Sequence, residues 1–211
     1  MKSIEKNIAA QLLKVKAIKL QPQNPFIWAS GWKSPIYCDN RKTLSYPTVR
    51  SSIKDELVNI IRQQFADVEV IAGVATGAIA QGALVAEAMN LPFIYVRSSP
   101  KDHGLENLIE GDLRPGQKVV IIEDLISTGG SSLKAVEAIR NDGSQVLGMV
   151  AIFSYGFPIA EKKFKQAKVN LFTLSNYEAV LAQSLATNYI KEDEVEILKK
   201  WRQNPETWGN E

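Results

Sequence analysis

One cysteine and one histidine are all that the 211-residue sequence has of either. With Cys38 alone no intramolecular disulfide can form, which fits a reducing compartment. No stretch stays apolar long enough to span a bilayer. The opening residues, MKSIEKNIAAQLLKVKAIKL, scatter charges among apolar positions and lack the continuous apolar centre of a secretory signal. An excess of one charge is missing too. The 25 basic and 23 acidic residues leave a net +2, which gives no reason for bulk attraction to nucleic acid or to an anionic membrane. Internal repeats and low-complexity segments are absent. These absences predict a cytoplasmic protein that binds neither nucleic acid nor membrane.

What is present is ordinary globular material, 45% hydrophobic and 23% charged, in a chain long enough to bury a substantial core. Ile4, Ile8, Leu12 and Val15 recur at helical spacing and predict an amphipathic opening helix. An irregular segment follows from Gln21 to Ser45, with Pro22, Pro25, Gly31 and Pro35. It also holds Phe26, Trp28, Trp32, Ile36 and Tyr37, so it is expected to be ordered and packed. Helical spacing returns at Ile53, Leu57, Ile60 and Ile61. From Val68 short apolar runs alternate with helices. Strands are predicted at 68–74, 92–97, 118–124, 146–154 and 169–174, and helices at about 78–89, 131–143, 159–166 and 193–202. Continuous apolar strands separated by helices indicate a parallel sheet covered on both faces. The expected fold is therefore α/β, a doubly wound and mainly parallel sheet of five strands. It would form a single domain, with an N-terminal hood over 1–66, a core over 67–175 and C-terminal helices over 176–211.

The most informative stretch is VVIIEDLISTGGSS. Val119 to Ile122 read as a buried strand, Glu123 and Asp124 sit at its C-terminal end, and Ser127, Thr128, Gly129, Gly130, Ser131 and Ser132 form a small-residue turn into a helix. Glycines let backbone N–H groups converge on an anion, hydroxyls add donors, and the helix N-terminus adds a favourable dipole. Such a turn suits a phosphate monoester. Two carboxylates beside a phosphate would repel it unless they serve a ribose diol or a hydrated magnesium ion. A bland alternative is a strand–turn–helix whose Ser and Gly residues merely cap the helix. No lysine follows the glycines, which excludes a Walker loop, and GxGxxG is absent, which excludes a dinucleotide fingerprint.

This segment resembles the phosphoribosyl pyrophosphate (PRPP) motif of the type I phosphoribosyltransferases. The resemblance implies that Glu123 and Asp124 hold the ribose hydroxyls while Leu125, Ile126, Ser127, Thr128, Gly129, Gly130 and Ser131 surround the 5-phosphate. Two further segments narrow it. WASGWKSPIYCDNR (28–41) resembles the N-terminal signature of the orotate phosphoribosyltransferases, and VRSSPKDHGLENLIEG (96–111) resembles their mobile catalytic loop. That family implies contacts to PRPP from Arg97, Lys101 and His103, with Lys101, His103 and Asp124 as catalytic residues. It also implies that Lys101 and His103 reach into a neighbouring subunit, so that the active unit is a homodimer with shared sites. Orotate would meet Ser127 on one edge and backbone near Tyr37 and Cys38 on the other. Lys33 and Arg41 stand either as partners of the orotate carboxylate or as solvated surface charges. Without the family, His103 beside Lys101 reads equally as a solvated loop residue.

The sequence departs from some family members. Ala29 stands where some carry a lysine, Ala75, Thr76 and Gly77 occupy a turn where some carry another, Ser98 follows Arg97, and Tyr155 stands where some place an arginine. The implied activity is transfer of a phosphoribosyl group from PRPP to orotate, with Mg2+ as cofactor held mainly by PRPP and no metal ligated directly. A purine or uracil phosphoribosyltransferase, or a PRPP-sensing regulator that binds nucleic acid, are the competing readings. The near-neutral charge argues against the regulator.

Overall fold

In a computed structural model, which describes residues 2–28, 31–99 and 108–209, the chain opens with helix α1 (Lys2–Lys14). Its residues Ile8 and Leu12 are fully buried, as their spacing requires. Short strands follow: β1 (Ile18–Leu20), β2 (Phe26–Ile27), β3 (Lys33–Ser34) and β4 (Ile36–Cys38). The segment expected to be irregular thus contains β2, β3 and β4: β2 pairs antiparallel with β3, and β4 pairs antiparallel with β1 just before the segment. Strands of two or three residues leave no periodicity to read. A 3-10 helix (Asn40–Ser45) leads into α2 (Pro47–Gln64), which starts on a proline whose missing N–H costs nothing in a first turn.

The core runs β5 (Val70–Val74), α3 (Ile79–Met89), β6 (Phe93–Val96), β7 (Ile109–Glu110), β8 (Lys118–Ile126), α4 (Gly130–Asn141), β9 (Gln145–Ser154), α5 (Pro158–Gln166) and β10 (Leu171–Asn176). Two helices close the chain, α6 (Tyr177–Ala186) and α7 (Glu192–Gln203). The Asn176 side chain caps α6 by accepting from the Ala179 N–H at 2.9 Å.

The sheet has six strands in the order β10-β9-β8-β5-β6-β7, not the five expected. The extra one is β7. The chain returning from the 97–108 segment adds two residues antiparallel to β6, pairing Tyr95 with Glu110 and Val96 with Ile109. The other pairings are parallel. Alternation along the strands divides the core between the two faces. Val70, Ala72, Ile121 and Met149 pack with Ala135, Val136, Ile139 and Phe164 of α4 and α5. Ile71, Val120, Ile122 and Val150 pack with α1, α2 and α6 through Ile8, Ile53 and Val180. Both faces are covered, as continuous apolar strands demand.

Strand β5 neighbours β6 on one side and β8 on the other, so successive connections leave it in opposite directions. A crevice opens at the C-terminal ends of strands where the order reverses in this way. The acidic pair at the end of β8 lies there.

Candidate active site

The turn after β8 is shaped by its glycines. Gly129 sits at φ +77°, a left-handed conformation that disfavours any side chain, and a Cβ there would lie 3.0 Å from the Phe164 ring. The first backward bond of α4 runs from the Leu133 N–H to the Gly129 carbonyl at 3.0 Å. The N–H groups of Gly130, Ser131 and Ser132 therefore have no partner within the helix, and they carry the positive end of its dipole. Facing this turn across a cavity of about 300 Å³ is a second one, Ala75, Thr76 and Gly77, at the end of β5. Glu123 and Asp124 complete the wall, and Leu125, Ser127, Thr128 and Ser131 also line the cavity. Ile126 does not: its side chain is fully buried, which leaves only its backbone for any ligand.

The acidic pair is tightly engaged. Glu123 is 4% exposed, accepts from the Ser132 hydroxyl at 2.8 Å and accepts from the Asp124 N–H at 3.0 Å. Ser132 therefore faces Glu123 and not the phosphate turn to which its sequence position assigned it. Burial, followed by the neighbouring Asp124 charge, pushes the Glu123 carboxyl up to about 8. Burial raises Asp124 as well, against an opposing hydrogen bond with Glu123 and the positive charge of Arg41.

A carboxyl that holds its proton more tightly folded than unfolded stabilises the fold below its unfolded value, and that contribution is lost as pH rises towards its folded value. From about pH 4.5 to about pH 8, Glu123 should remove at most about 1.4 kcal/mol of stability per pH unit. Glu123→Gln cannot ionise. Its thermal midpoint should fall less than the wild type's across this window, and parallel midpoint-against-pH curves would refute the assignment.

The opposite turn meets Asp124 at close range. A Cβ built on Gly77 would collide with the Asp124 carboxylate. The Ala75–Thr76 peptide in this turn is cis. From the hood, the buried Asn40 donates its side-chain N–H to the Asp124 backbone carbonyl at 2.6 Å. Gly77, Asn40 and Ser132 thus all contact the acidic pair. No local pattern marks Gly77 or Asn40, because their contacts are made across the fold, whereas Ser132 lies nine residues from its partner.

The expected base-binding residues divide. Tyr37 is 40% exposed at the end of the hood, and Cys38 beside it is partly buried. Burial, then the charges of Asp124 and Asp39, push the Cys38 thiol well up, so it stays protonated and is no nucleophile. Arg41 pairs with Asp39 at 2.7 Å, and its charge reaches Asp124. Lys33 donates to the Gly209 carbonyl at 2.6 Å, which ties it to the C-terminal tail. Tyr155, which stands where an arginine would be an alternative, is 2% exposed in a cluster of rings. It stacks on Phe157 at 5.4 Å and meets Trp28 at 5.3 Å and Trp201 at 5.7 Å. The guanidinium of Arg202 reaches the carbonyls of Tyr155 and Gly156 at 3.1 and 3.0 Å, so the cation near this strand end comes from α7.

Arg97 stands at the end of β6, where its backbone N–H donates to the Leu108 carbonyl at 2.8 Å and its side chain pairs with Glu110 at 3.4 Å. Lys101 and His103, like Ala29, lie outside the described residues. Among the described residues, no three His, Cys, Asp or Glu side chains converge as a metal site. No described helix is long and apolar enough to cross a membrane.

Residues 47–185 match the model of the phosphoribosyl transferase domain. The orotate phosphoribosyltransferase of Phocaeicola vulgatus is 69% identical over 208 residues, covering 99% of this chain and 98% of that protein. That of Porphyromonas gingivalis is 67% identical over 209 residues, covering 99% of this chain and all of that one (100%). Among solved structures, orotate phosphoribosyltransferase from Aeropyrum pernix superposes with a TM-score of 0.76 at 28% identity, over 87% of this chain and 99% of that one.

Proposed function

Since this chain belongs to the phosphoribosyltransferase family, within its orotate phosphoribosyltransferase branch, we propose the following division of labour among its residues. The reaction itself moves the 5-phosphoribosyl group of PRPP to orotate, giving orotidine 5-phosphate and pyrophosphate. The 5-phosphate sits in the turn from Leu125 to Ser131, held by N–H groups at the start of α4 and by the hydroxyls of Ser127, Thr128 and Ser131. Glu123 and Asp124 fix the ribose hydroxyls. The observation that carries this reading is the single cavity in which the Ala75–Gly77 turn faces the phosphate turn across both carboxylates. A phosphate site, a diol site and a wall for the leaving group then lie within the span of one sugar diphosphate.

Orotate lies between Ser127 and the hood backbone at Tyr37 and Cys38, with Lys33 and Arg41 as candidates for its carboxylate. A ring nitrogen attacks the anomeric carbon as the bond to pyrophosphate breaks. Charge builds on the departing oxygens, so the catalytic task is positional and electrostatic. Arg97, Lys101 and His103 serve the pyrophosphate, with Lys101 and His103 supplied by the partner of a homodimer. Excluding water from the site protects PRPP from hydrolysis.

Phosphoribosyltransferases that use PRPP generally need Mg2+. The donor set fits an ion held mainly by PRPP: the chain offers Glu123 and Asp124 at the diol end and, among the described residues, no cage of three ligands. When bound, the ion neutralises charge on the diphosphate. A cytoplasmic location accords with the lone cysteine.

The direct test mixes the protein with orotate, PRPP and Mg2+ and follows the loss of orotate absorbance. Turnover is expected with orotate and not with adenine, hypoxanthine, guanine or uracil. Turnover of one of those bases with orotate inert would overturn the assignment.

A further inference from the structure

Asn40 has no assigned part in the reaction, yet its surroundings are unusual. It is 2% exposed, at the start of the 3-10 helix that leads from β4 into α2. Its side-chain amide spans 84 residues of sequence to the Asp124 backbone carbonyl, at 2.6 Å. A carbonyl only accepts, so the amide nitrogen must face it, and this fixes the orientation of the side chain. The Thr43 hydroxyl donates to the Asn40 carbonyl at 2.6 Å and holds the residue from behind. The amide oxygen Oδ1 is buried with no hydrogen-bond partner among the described residues. A buried acceptor left unpaired costs free energy. Asn40 therefore makes its one side-chain bond to Asp124 at a cost that an apolar residue would avoid.

That bond sits where two parts of the site meet. Strand β4, whose Tyr37 and Cys38 line the base side, ends two residues before Asn40. Next to it, Arg41 places its charge within reach of the Asp124 carboxylate. On the other side, Gly77 leaves room for that carboxylate and for nothing larger at its own position. The Asp124 peptide is thus held by Asn40 while its carboxylate is confined by Gly77.

We propose that Asn40 is a positioning residue for the transfer: its amide fixes the Asp124 main chain so that the carboxylate meets the ribose hydroxyls of PRPP. Through it, the hood that takes the base is mechanically joined to the residue that takes the sugar. This rests on the reading of Asp124 as a ribose-binding carboxylate, and the test separates the two ideas.

Four proteins are compared with orotate, PRPP and Mg2+: wild type, Asn40→Ala, Asn40→Asp and Asp124→Asn. Asn40→Asp keeps the size of the side chain and, assayed at a pH where its carboxyl is ionised, removes the donor, so it separates the hydrogen bond from packing. Both Asn40 variants should raise the KM for PRPP about tenfold or more and lower kcat, with the KM for orotate within about twofold of wild type. Asn40→Ala should keep a cooperative melt, and it carries the test if the buried acid of Asn40→Asp prevents folding. Wild-type PRPP kinetics in Asn40→Ala, or in a folded Asn40→Asp, would overturn the proposal. Equal losses for both substrates would also overturn it, since they would indicate general loosening. If Asp124→Asn itself left PRPP binding intact, the reading of Asp124 would fail first. If Asp124→Asn lost it and Asn40→Ala did not, the inference about Asn40 alone would fail.

Discussion

Replacing Gly77 with alanine should cut kcat/KM for PRPP by about a hundredfold, equivalent to about 2.7 kcal/mol of transition-state stabilisation. Gly77 is not among the residues at positive φ, so alanine suits its backbone and the fold need not object. The three atoms nearest the added methyl all belong to the Asp124 carboxylate, whose space it would occupy. Asp124 has a short side chain and must turn away, and its new direction is no longer towards the cavity it lines. Proximity effects in catalysis are steep, so a displacement of about 1 Å is enough for a loss of this size. The measurement is steady-state kinetics against PRPP alongside a thermal melt. A melt close to wild type with a large kinetic loss is the expected pair of results. Full activity would mean that Asp124 can be moved without consequence, and the ribose role assigned to it would have to go elsewhere.

Lys101→Ala should lower kcat by roughly a hundredfold or more, the scale seen when one preorganised charge partner of a transition state is removed. The weightier measurement mixes it with Asp124→Asn. If Lys101 serves the neighbouring subunit, a hybrid dimer has one site with both lesions and one with neither. Random reassortment at equal ratio makes half of the dimers hybrid, each with one intact site, so about a quarter of wild-type turnover should return. If Lys101 serves its own subunit, every site in the hybrid keeps one lesion and nothing returns. Recovery that appears on mixing and grows with subunit exchange would establish the shared site. Its absence, with exchange proven by a tagged subunit, would refute it.

The sheet was readable because its strands are runs such as Val119–Ile122, apolar at successive positions and therefore buried on both faces. The turn after β8 is readable for a related reason: its hydroxyls and glycines are contiguous, so chain order and spatial order coincide. Strand β7 was not readable. Ile109 and Glu110 form no pattern by themselves and become a strand only because β6 is beside them. The short strands β1 to β4 leave no pattern for the same reason. Within the site, Gly77 departs from a pattern of some family members, and the Asp124 carboxylate lies against it. Ser132 looked like one more hydroxyl of the turn, but the helix places it one face away, on Glu123. Lys33 reads as a surface charge or a substrate contact, and in the fold its ammonium donates to the carbonyl of Gly209 at the far end of the chain. The Gly77 and Lys33 contacts join residues distant in sequence, which composition and spacing do not encode.

Strand β7 also bears on how the protein stays dispersed. Without it, β6 would be the outermost strand on its side and would offer a row of open backbone donors and acceptors to any passing chain. The two residues Ile109 and Glu110 cover the half of that row at Tyr95 and Val96, and the Arg97–Glu110 ion pair adds charge at its end. Ile109 and Glu110 therefore shield part of the sheet from edge-to-edge aggregation. A variant that broke this short pairing would uncover an adhesive edge.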